Sequence, residues 1–363
     1  ASSASPPPPD PSSQRSPPRA VLEEEDVVVC DVLVVGGGVG GLAAGVALRQ
    51  AGSACVIVER DEGLDTRRAG GFGLTLSADP RGPLGALGVL DACAALNCAS
   101  REHWIFDGTG RVRGYYGRAL LEDAQDHDDD APPMMASSSG GSLRVQRQQL
   151  RRVLLERYEA LGGVVVWGAR VDLESARAWD DAEHKQQDDD KTEVIVACGT
   201  DDARRRRTLR VRCSVLVGAD GLRSRVREKL IDPLVPDRER TPLREVGVGV
   251  AVGISGYRHA LLEGRGFYVV DGRARLFTMP YDATSTMWQL SFALEKKNAS
   301  DDSDGVVLDK RRPAEARAVA RRVADGWNDE DIGRVAVGLI DATPDALTWA
   351  SRLFDRDAFT LAA

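Results

Sequence analysis

The run Cys30-Asp31-Val32-Leu33-Val34-Val35-Gly36-Gly37-Gly38-Val39-Gly40-Gly41 drives an apolar strand straight into Gly-x-Gly-x-x-Gly. A helical pattern follows from Leu42 to Gln50, and a second apolar strand, Val56-Ile57-Val58, closes on Glu59-Arg60. Strand, glycine triplet, helix, strand and terminal acid in this order form the βαβ fingerprint of a dinucleotide-binding turn. Gly36 permits the tight turn, Gly38 lets the backbone approach a pyrophosphate, and Gly41 lets the helix pack closely on the strand. The helix start offers free N–H groups and the positive end of its dipole to phosphate. Glu59 lies where a carboxylate can accept the hydrogens of a ribose diol.

A glycine triplet alone also reads as a glycine-rich turn with no ligand. The complete order of elements favours the ligand. Glu59 would repel a 2′-phosphate, so the site reads as FAD or NAD rather than NADP.

Length and composition bound the rest. At 363 residues the chain can form one large or two medium domains, and 42% apolar with 29% charged residues is ordinary for a soluble globular protein. A net charge of -8 gives no general attraction to nucleic acid or anionic membrane. No apolar stretch approaches the roughly 20 residues of a membrane span, so stable insertion is not expected. The six cysteines form no Cys-x-x-Cys, and the four histidines lie far apart, so no metal site is expected. Cys30, Cys55, Cys198 and Cys213 sit in strand-like runs and read as buried reduced thiols in a reducing compartment. Residues 1–20, rich in Ser, Pro and Arg, read as a disordered tail and also fit the end of an organelle transit peptide. The compartment is therefore cytoplasmic or organellar, and the oligomeric state is not readable.

Further along, Gln148–Leu161 has helical spacing, with Leu150, Val153, Leu154 and Tyr158 on one face and Gly162-Gly163 as the stop. Residues 122–141 and 180–191, each with an Asp triplet, read as solvated loops, and Arg204–Arg207 as the tip of a charged hairpin. From Val246 the pattern turns β-like in short runs (Val246–Ile254, Gly266–Asp271, Arg275–Pro280, Met287–Leu294), with Asp271-Gly272 as a hairpin signal. Asp107-Gly108 is another, and Pro313–Trp327 reads as a helix. The expected fold class is α/β: a Rossmann-like domain with a parallel sheet, plus a second domain on a mainly antiparallel sheet. Its expected parts are a tail (1–28), a discontinuous nucleotide domain (29–100 and 142–235), a substrate domain (101–120 and 240–345), and a return toward the first domain (346–363).

Two more motifs carry chemistry. The strand Cys213–Val217 ends in Gly218-Ala219-Asp220-Gly221, followed by Ser224, Arg225 and Arg227. Asp220 stands at the ligand edge of an α/β sheet, or it caps a helix; both readings are open. Arg147, in Arg-x-x-Leu at the head of the helical run, can reach a phosphate bidentately or be a surface arginine.

Together these elements resemble the class A FAD-dependent monooxygenases, the para-hydroxybenzoate hydroxylase-like family, over residues 29–363. The resemblance implies FAD against Gly36, Gly38, Val39, Gly40, Gly41, Glu59, Arg60, Arg147, Asp220 and Gly221, with Arg68 near the flavin. It implies NADPH or NADH as transient co-substrate, O2, and a small organic substrate, aromatic or apolar. No catalytic side chain is assigned, because the cofactor carries the chemistry. Gly45 stands where the family usually has Ala, and the halogenase Trp-x-Trp-x-Ile-Pro pattern is absent. The family's later Gly-Asp motif has no counterpart, since the chain contains no Gly-Asp dipeptide. The expectation is a chain truncated before that motif, with weak or absent FAD binding, poor solubility and no NADPH-dependent oxygen use. A reductase of the same fold and a non-catalytic remnant are the rival readings.

Overall fold

The structure is a computed structural model, and it describes residues 21–24, 27–66, 71–98, 100, 102–117, 141–179, 191–198, 207–294, 312–327 and 331–357. In chain order the elements begin with β1 (Val21–Glu24), β2 (Val27–Val35), α1 (Val39–Gln50), β3 (Cys55–Val58), β4 (Gly73–Ser77), α2 (Pro83–Ala86) and α3 (Leu90–Ala95). Next come β5 (Glu102–Asp107), β6 (Val112–Gly117), β7 (Ser142–Gln146), α4 (Arg147–Ala160), β8 (Val164–Val166), β9 (Ala169–Trp179), β10 (Lys191–Cys198) and β11 (Arg207–Gly218). The last are β12 (Arg244–Ser255), β13 (Gly266–Val270), β14 (Ala274–Pro280), β15 (Thr286–Ala293), α5 (Pro313–Asp325), α6 (Ile332–Asp341) and β16 (Thr348–Asp355).

The chain divides into two compact units: residues 1–63 with 154–230, and residues 64–153 with 231–363. The first unit holds a sheet in the order β8-β3-β2-β11-β10-β9, with β1 beside β2. Pairings β8/β3, β3/β2 and β2/β11 are parallel, and β10 and β9 extend the sheet antiparallel. Every residue of β3 is buried, as the continuous apolar run of a sheet covered on both faces requires. Helix α1 presses Leu42, Gly45 and Val46 inward. A Cβ at Gly45 would come within 2.9 Å of the Tyr158 ring and 2.8 Å of Ile57 Cδ1, which explains why the usual alanine is missing there. Tyr158 is fully buried, and its hydroxyl donates to the Cys55 carbonyl at 2.7 Å. Cys30, Cys55 and Cys213 lie in the same core as free thiols. Burial above all pushes Cys30 up to about 12 and Cys213 up to about 11.

The second unit holds a seven-stranded sheet in the order β16-β12-β15-β14-β13-β5-β6. Its pairings are antiparallel except β13/β5, which run parallel. One face is covered by α5 and α6, whose Val319, Ala320, Ala324, Val335, Leu339 and Ile340 join Leu276, Trp288 and Leu290 in one apolar cluster. Trp288 lies against Gly253, where a Cβ would collide with the indole, and its Nε1 donates to Thr343 Oγ1 at 2.8 Å. A separate ribbon pairs β4 with β7.

The short β runs and both long helices fall within one to four residues of their expected ends. The structure departs from the expectations in several places. The sheet is mainly antiparallel, as expected, and its parallel pairing β5/β13 arises because β5 comes from outside the hairpin succession and adds to its edge. Residues 64–100 and 142–153, expected in the nucleotide domain, fall within the second compact unit, where β4 and β7 form a ribbon outside both large sheets. Residues 346–357, expected to return toward the first domain, instead place β16 beside β12. The helix expected after Asp220 is also brief: Arg225 and Val226 are helical, and Arg227–Ile231 is a π turn. The loop readings at 122–140 and 180–190, and Arg204–Arg206, lie outside the described residues. Among the described residues no helix is long and apolar enough to cross a membrane.

Ladder pairing of β13 and β14 stops at Tyr268/Phe277, and the buried Thr278 hydroxyl takes over: Phe267 N donates to Oγ1 at 2.8 Å, and Oγ1 donates to Phe267 O at 3.2 Å. Thr278→Val keeps the volume and leaves the Phe267 amide buried without its acceptor. Urea unfolding should show a loss of about 1–3 kcal/mol with an unchanged slope.

Candidate functional site

The glycine loop of the first unit is built almost entirely from backbone. Gly36 takes φ +112°, the left-handed region, and its N–H donates to Val58 O at 2.8 Å. A Cβ on Gly36 would overlap the Ala219 carbonyl, and one on Gly41 would overlap the Gly36 carbonyl. The fold itself therefore demands these two glycines. Gly38 and Gly40 differ: a Cβ on either would meet nothing within 4 Å. Packing gives no reason for a missing side chain at these two positions, whereas a ligand lying on the backbone would. Gly38 is the N-cap of α1, which has no side-chain cap and no acid in its first turn. Val39, half-buried, begins the helix.

Two carboxylates flank this loop within the same unit. Glu59 is buried, with Gly37 N donating to Oε2 at 2.7 Å and Asp61 N to Oε1 at 2.9 Å. Arg60 beside it is exposed. Asp220 follows β11, whose end is tied to β2 by Ala219 N to Val35 O at 2.8 Å. Asp220 Oδ2 accepts from Arg225 N at 2.7 Å and Val226 N at 3.1 Å, while Oδ1 is buried and has no hydrogen-bond partner among the described residues. The capping reading of Asp220 is met by Oδ2, which holds the turn at Arg225 and Val226. Gly221 follows at φ +88°. Gly36–Gly41, Glu59 and Asp220 gather at the carboxyl ends of β2, β3 and β11, the edge where open α/β sheets take their ligands.

Arg147 belongs to the second unit. It is the first residue of α4, and its N–H donates to Phe72 O at 3.0 Å beside Gly71. Tyr281 Oη donates to Gly71 O at 3.3 Å, and Gln146 Nε2 donates to Tyr281 O at 3.1 Å, which fixes this corner. Arg68 lies outside the described residues.

Sequence reasoning missed the sheet face turned away from α5 and α6. His103, Tyr268 and Phe277, on β5, β13 and β14, form an aromatic group there: His103 stacks on Phe277 at 6.0 Å between centroids, and Tyr268 meets Phe277 at 4.8 Å. Arg275 lies 4.9 Å over the Tyr268 ring. His103 is held down to about 4, by burial first and by the Arg144 charge second. The available signal was strand alternation, Phe267 and Val269 pointing to the helices and Tyr268 away. Elsewhere in this unit, a cavity of about 370 Å³ opens between Tyr257–Gly264 and Pro280–Thr286, but its Asp282 carboxylate is committed to its own turn at Thr284 N, 2.8 Å. Among the described residues no group of three His, Cys, Asp or Glu side chains is arranged for a metal ion.

Residues 29–321 match the family model described as the FAD binding domain. The chain belongs to this family. The family's cofactor is FAD. YetM of Bacillus subtilis (strain 168), provisionally named an FAD-dependent monooxygenase, is 24% identical over 212 residues, 58% of this chain and 46% of YetM. The chain thus spans about half the length of this curated relative. HpxO of Klebsiella pneumoniae, solved with FAD and uric acid, is 20% identical with a TM-score of 0.62, covering 91% of this chain and 69% of that one. The flavin-dependent monooxygenase PieE, solved with FAD and substrate, is 18% identical with a TM-score of 0.56, covering 90% and 50%. These structural likenesses establish the shared fold.

The two kinds of glycine should separate cleanly in urea. Gly41→Ala should destabilise by roughly 3 kcal/mol or more through overlap with the Gly36 carbonyl. Gly40→Ala, inside the first turn of α1 with open space around it, should leave stability unchanged or raise it by up to about 1 kcal/mol. His103 gives a pH signature. Its folded value, about 4 against the ordinary 6.5, means that the neutral form is the folded form. Its contribution is complete above pH 6.5 and is lost as the pH falls toward 4, by at most roughly 3 kcal/mol. His103→Phe should flatten that limb of a stability–pH curve.

Proposed function

We propose that this chain is the flavin-holding part of an FAD-dependent monooxygenase, taking NADPH or NADH as hydride donor and a small planar organic substrate. The observation that carries the reading is the pair Gly38 and Gly40, glycines that the fold does not require, at the start of a helix with no side-chain cap. Asp220 Oδ1, buried without a partner, is a second mark of a missing donor. The residues present fit FAD. The first-turn N–H groups of α1 suit a diphosphate, Glu59 a ribose diol, and Asp220 Oδ1 a hydroxyl donor. Arg60 and Gly221 complete the candidate set of the first unit. In the second unit, Arg147 at the head of α4 by itself suits a phosphate. NADP in place of FAD is disfavoured, because a buried carboxylate would oppose its 2′-phosphate.

Bound FAD supplies hydride acceptance and oxygen activation, the chemistry no side chain here provides. The chain's own work is to position and to exclude water. Its N–H groups and Glu59 hold the nucleotide end without needing to reorganise. Tyr268 and Phe277, half-buried, offer apolar area for a planar substrate, and His103 beside them stays uncharged at neutral pH. YetM's name and the uric acid and substrate complexes of HpxO and PieE support this reading by family alone.

Flavin fluorescence titration tests the cofactor. Wild-type chain should quench FAD saturably. Gly38→Val, at a cost in stability of no more than about 1 kcal/mol at the N-cap, should abolish quenching, and Asp220→Asn should weaken it about ten- to a hundredfold. Equal affinity in all three would sink the reading. With FAD bound, oxygen uptake tied to NADPH oxidation in the presence of planar organic compounds marks a monooxygenase, whereas NADPH oxidation without oxygen insertion marks a reductase.

A further inference from the structure

We infer that Glu59 is a positioning residue for the glycine loop as well as a ribose reader, so that it governs phosphate binding it never touches. This rests on the reading that the Gly36–Gly41 loop takes a nucleotide. The carboxylate sits between two backbone segments and draws both together: Gly37 N on one oxygen at 2.7 Å, Asp61 N on the other at 2.9 Å. Its stem lies along Gly37, where a Cβ would stand 3.1 Å from Glu59 Cβ and 3.3 Å from Cγ. Its main chain is pinned too, Glu59 N to Val166 O at 2.9 Å and Ala169 N to Glu59 O at 2.9 Å. Hydrogen bonds to an ionised acceptor are about twice as strong as neutral ones, and a buried amide stripped of its acceptor is costly. Gly37 is the middle residue of the turn between β2 and α1, so the carboxylate holds the turn that aims the first N–H groups of the helix. The loop is set before any nucleotide arrives, and ribose and phosphate recognition are coupled through one side chain.

The coupling is read with two probes, ADP and 2′,3′-dideoxy-ADP, whose sugar lacks the hydroxyls that a carboxylate would accept. Calorimetric affinities are measured for the wild type, Glu59→Gln and Gly37→Ala. A glutamine keeps one acceptor oxygen but turns its NH2 toward the other backbone N–H. If Glu59 only reads ribose, Glu59→Gln leaves dideoxy-ADP binding unchanged or tightens it, because an anion near the phosphates is gone. If it positions the loop, dideoxy-ADP binding falls about tenfold despite the lost negative charge. Gly37→Ala, which keeps the carboxylate but crowds it, should weaken dideoxy-ADP to a similar extent. Amide exchange of the unliganded wild type is independent of any variant's folding: Gly37 and Asp61 N–H should exchange slowly, and fast exchange at both would overturn the brace. Undiminished dideoxy-ADP affinity in Glu59→Gln would overturn it as well. Wild type that binds dideoxy-ADP with full loop protection but gains nothing from ADP's hydroxyls would keep the brace and remove the ribose contact. Failure of the wild type to bind either nucleotide would overturn the nucleotide reading and this inference with it.

Discussion

The first unit is organised around a place where three stretches of backbone meet with no side chain between them. The Gly36 carbonyl lies under Gly41, and Gly36 itself lies against the carbonyl of Ala219. That closeness sets how α1 leans on β2 and how near the turn after β11 comes to the turn after β2. Any side chain at Gly36 or Gly41 would wedge these elements apart. Glu59 and Asp220 reach the loop only because the backbones have converged first.

Much of this was legible in the chain. Continuous apolar runs ending in glycine or acid marked the parallel strands, since a strand covered on both faces has no polar alternation to show. The four β runs after Val246 were visible for the opposite reason: one face meets α5 and α6 and the other does not, so the pattern alternates. Asp220 and its capping of the turn could be located from sequence, but the burial of its second oxygen could not, because that depends on how closely distant backbones converge.

What stayed hidden depended on distant pairing. The ribbon of β4 and β7 joins segments far apart in sequence; each alternates polar and apolar residues, but over only five positions, too few to say which partner it takes. Helix α6 does carry a helical signal, with Ile332, Val335, Ala336, Leu339 and Ile340 at i, i+3, i+4, i+7 and i+8, but it is short and is not among the expected elements. The group of His103, Tyr268 and Phe277 comes from three strands, one of them parallel to its neighbour and distant in the chain. No local rule brings such residues together; register does.

The three thiols of β2, β3 and β11 have a practical meaning. With Cys30 near 12 and Cys213 near 11, only about one molecule in ten thousand carries a thiolate on either at neutral pH, and all three sulphurs are sealed in the sheet. Oxidants and alkylating reagents act on the thiolate, so the folded sheet offers them almost nothing. Their modification must wait for the strands to separate. The labelling rate at these cysteines is therefore a clock for opening of the central sheet, carried by the chain without any introduced probe.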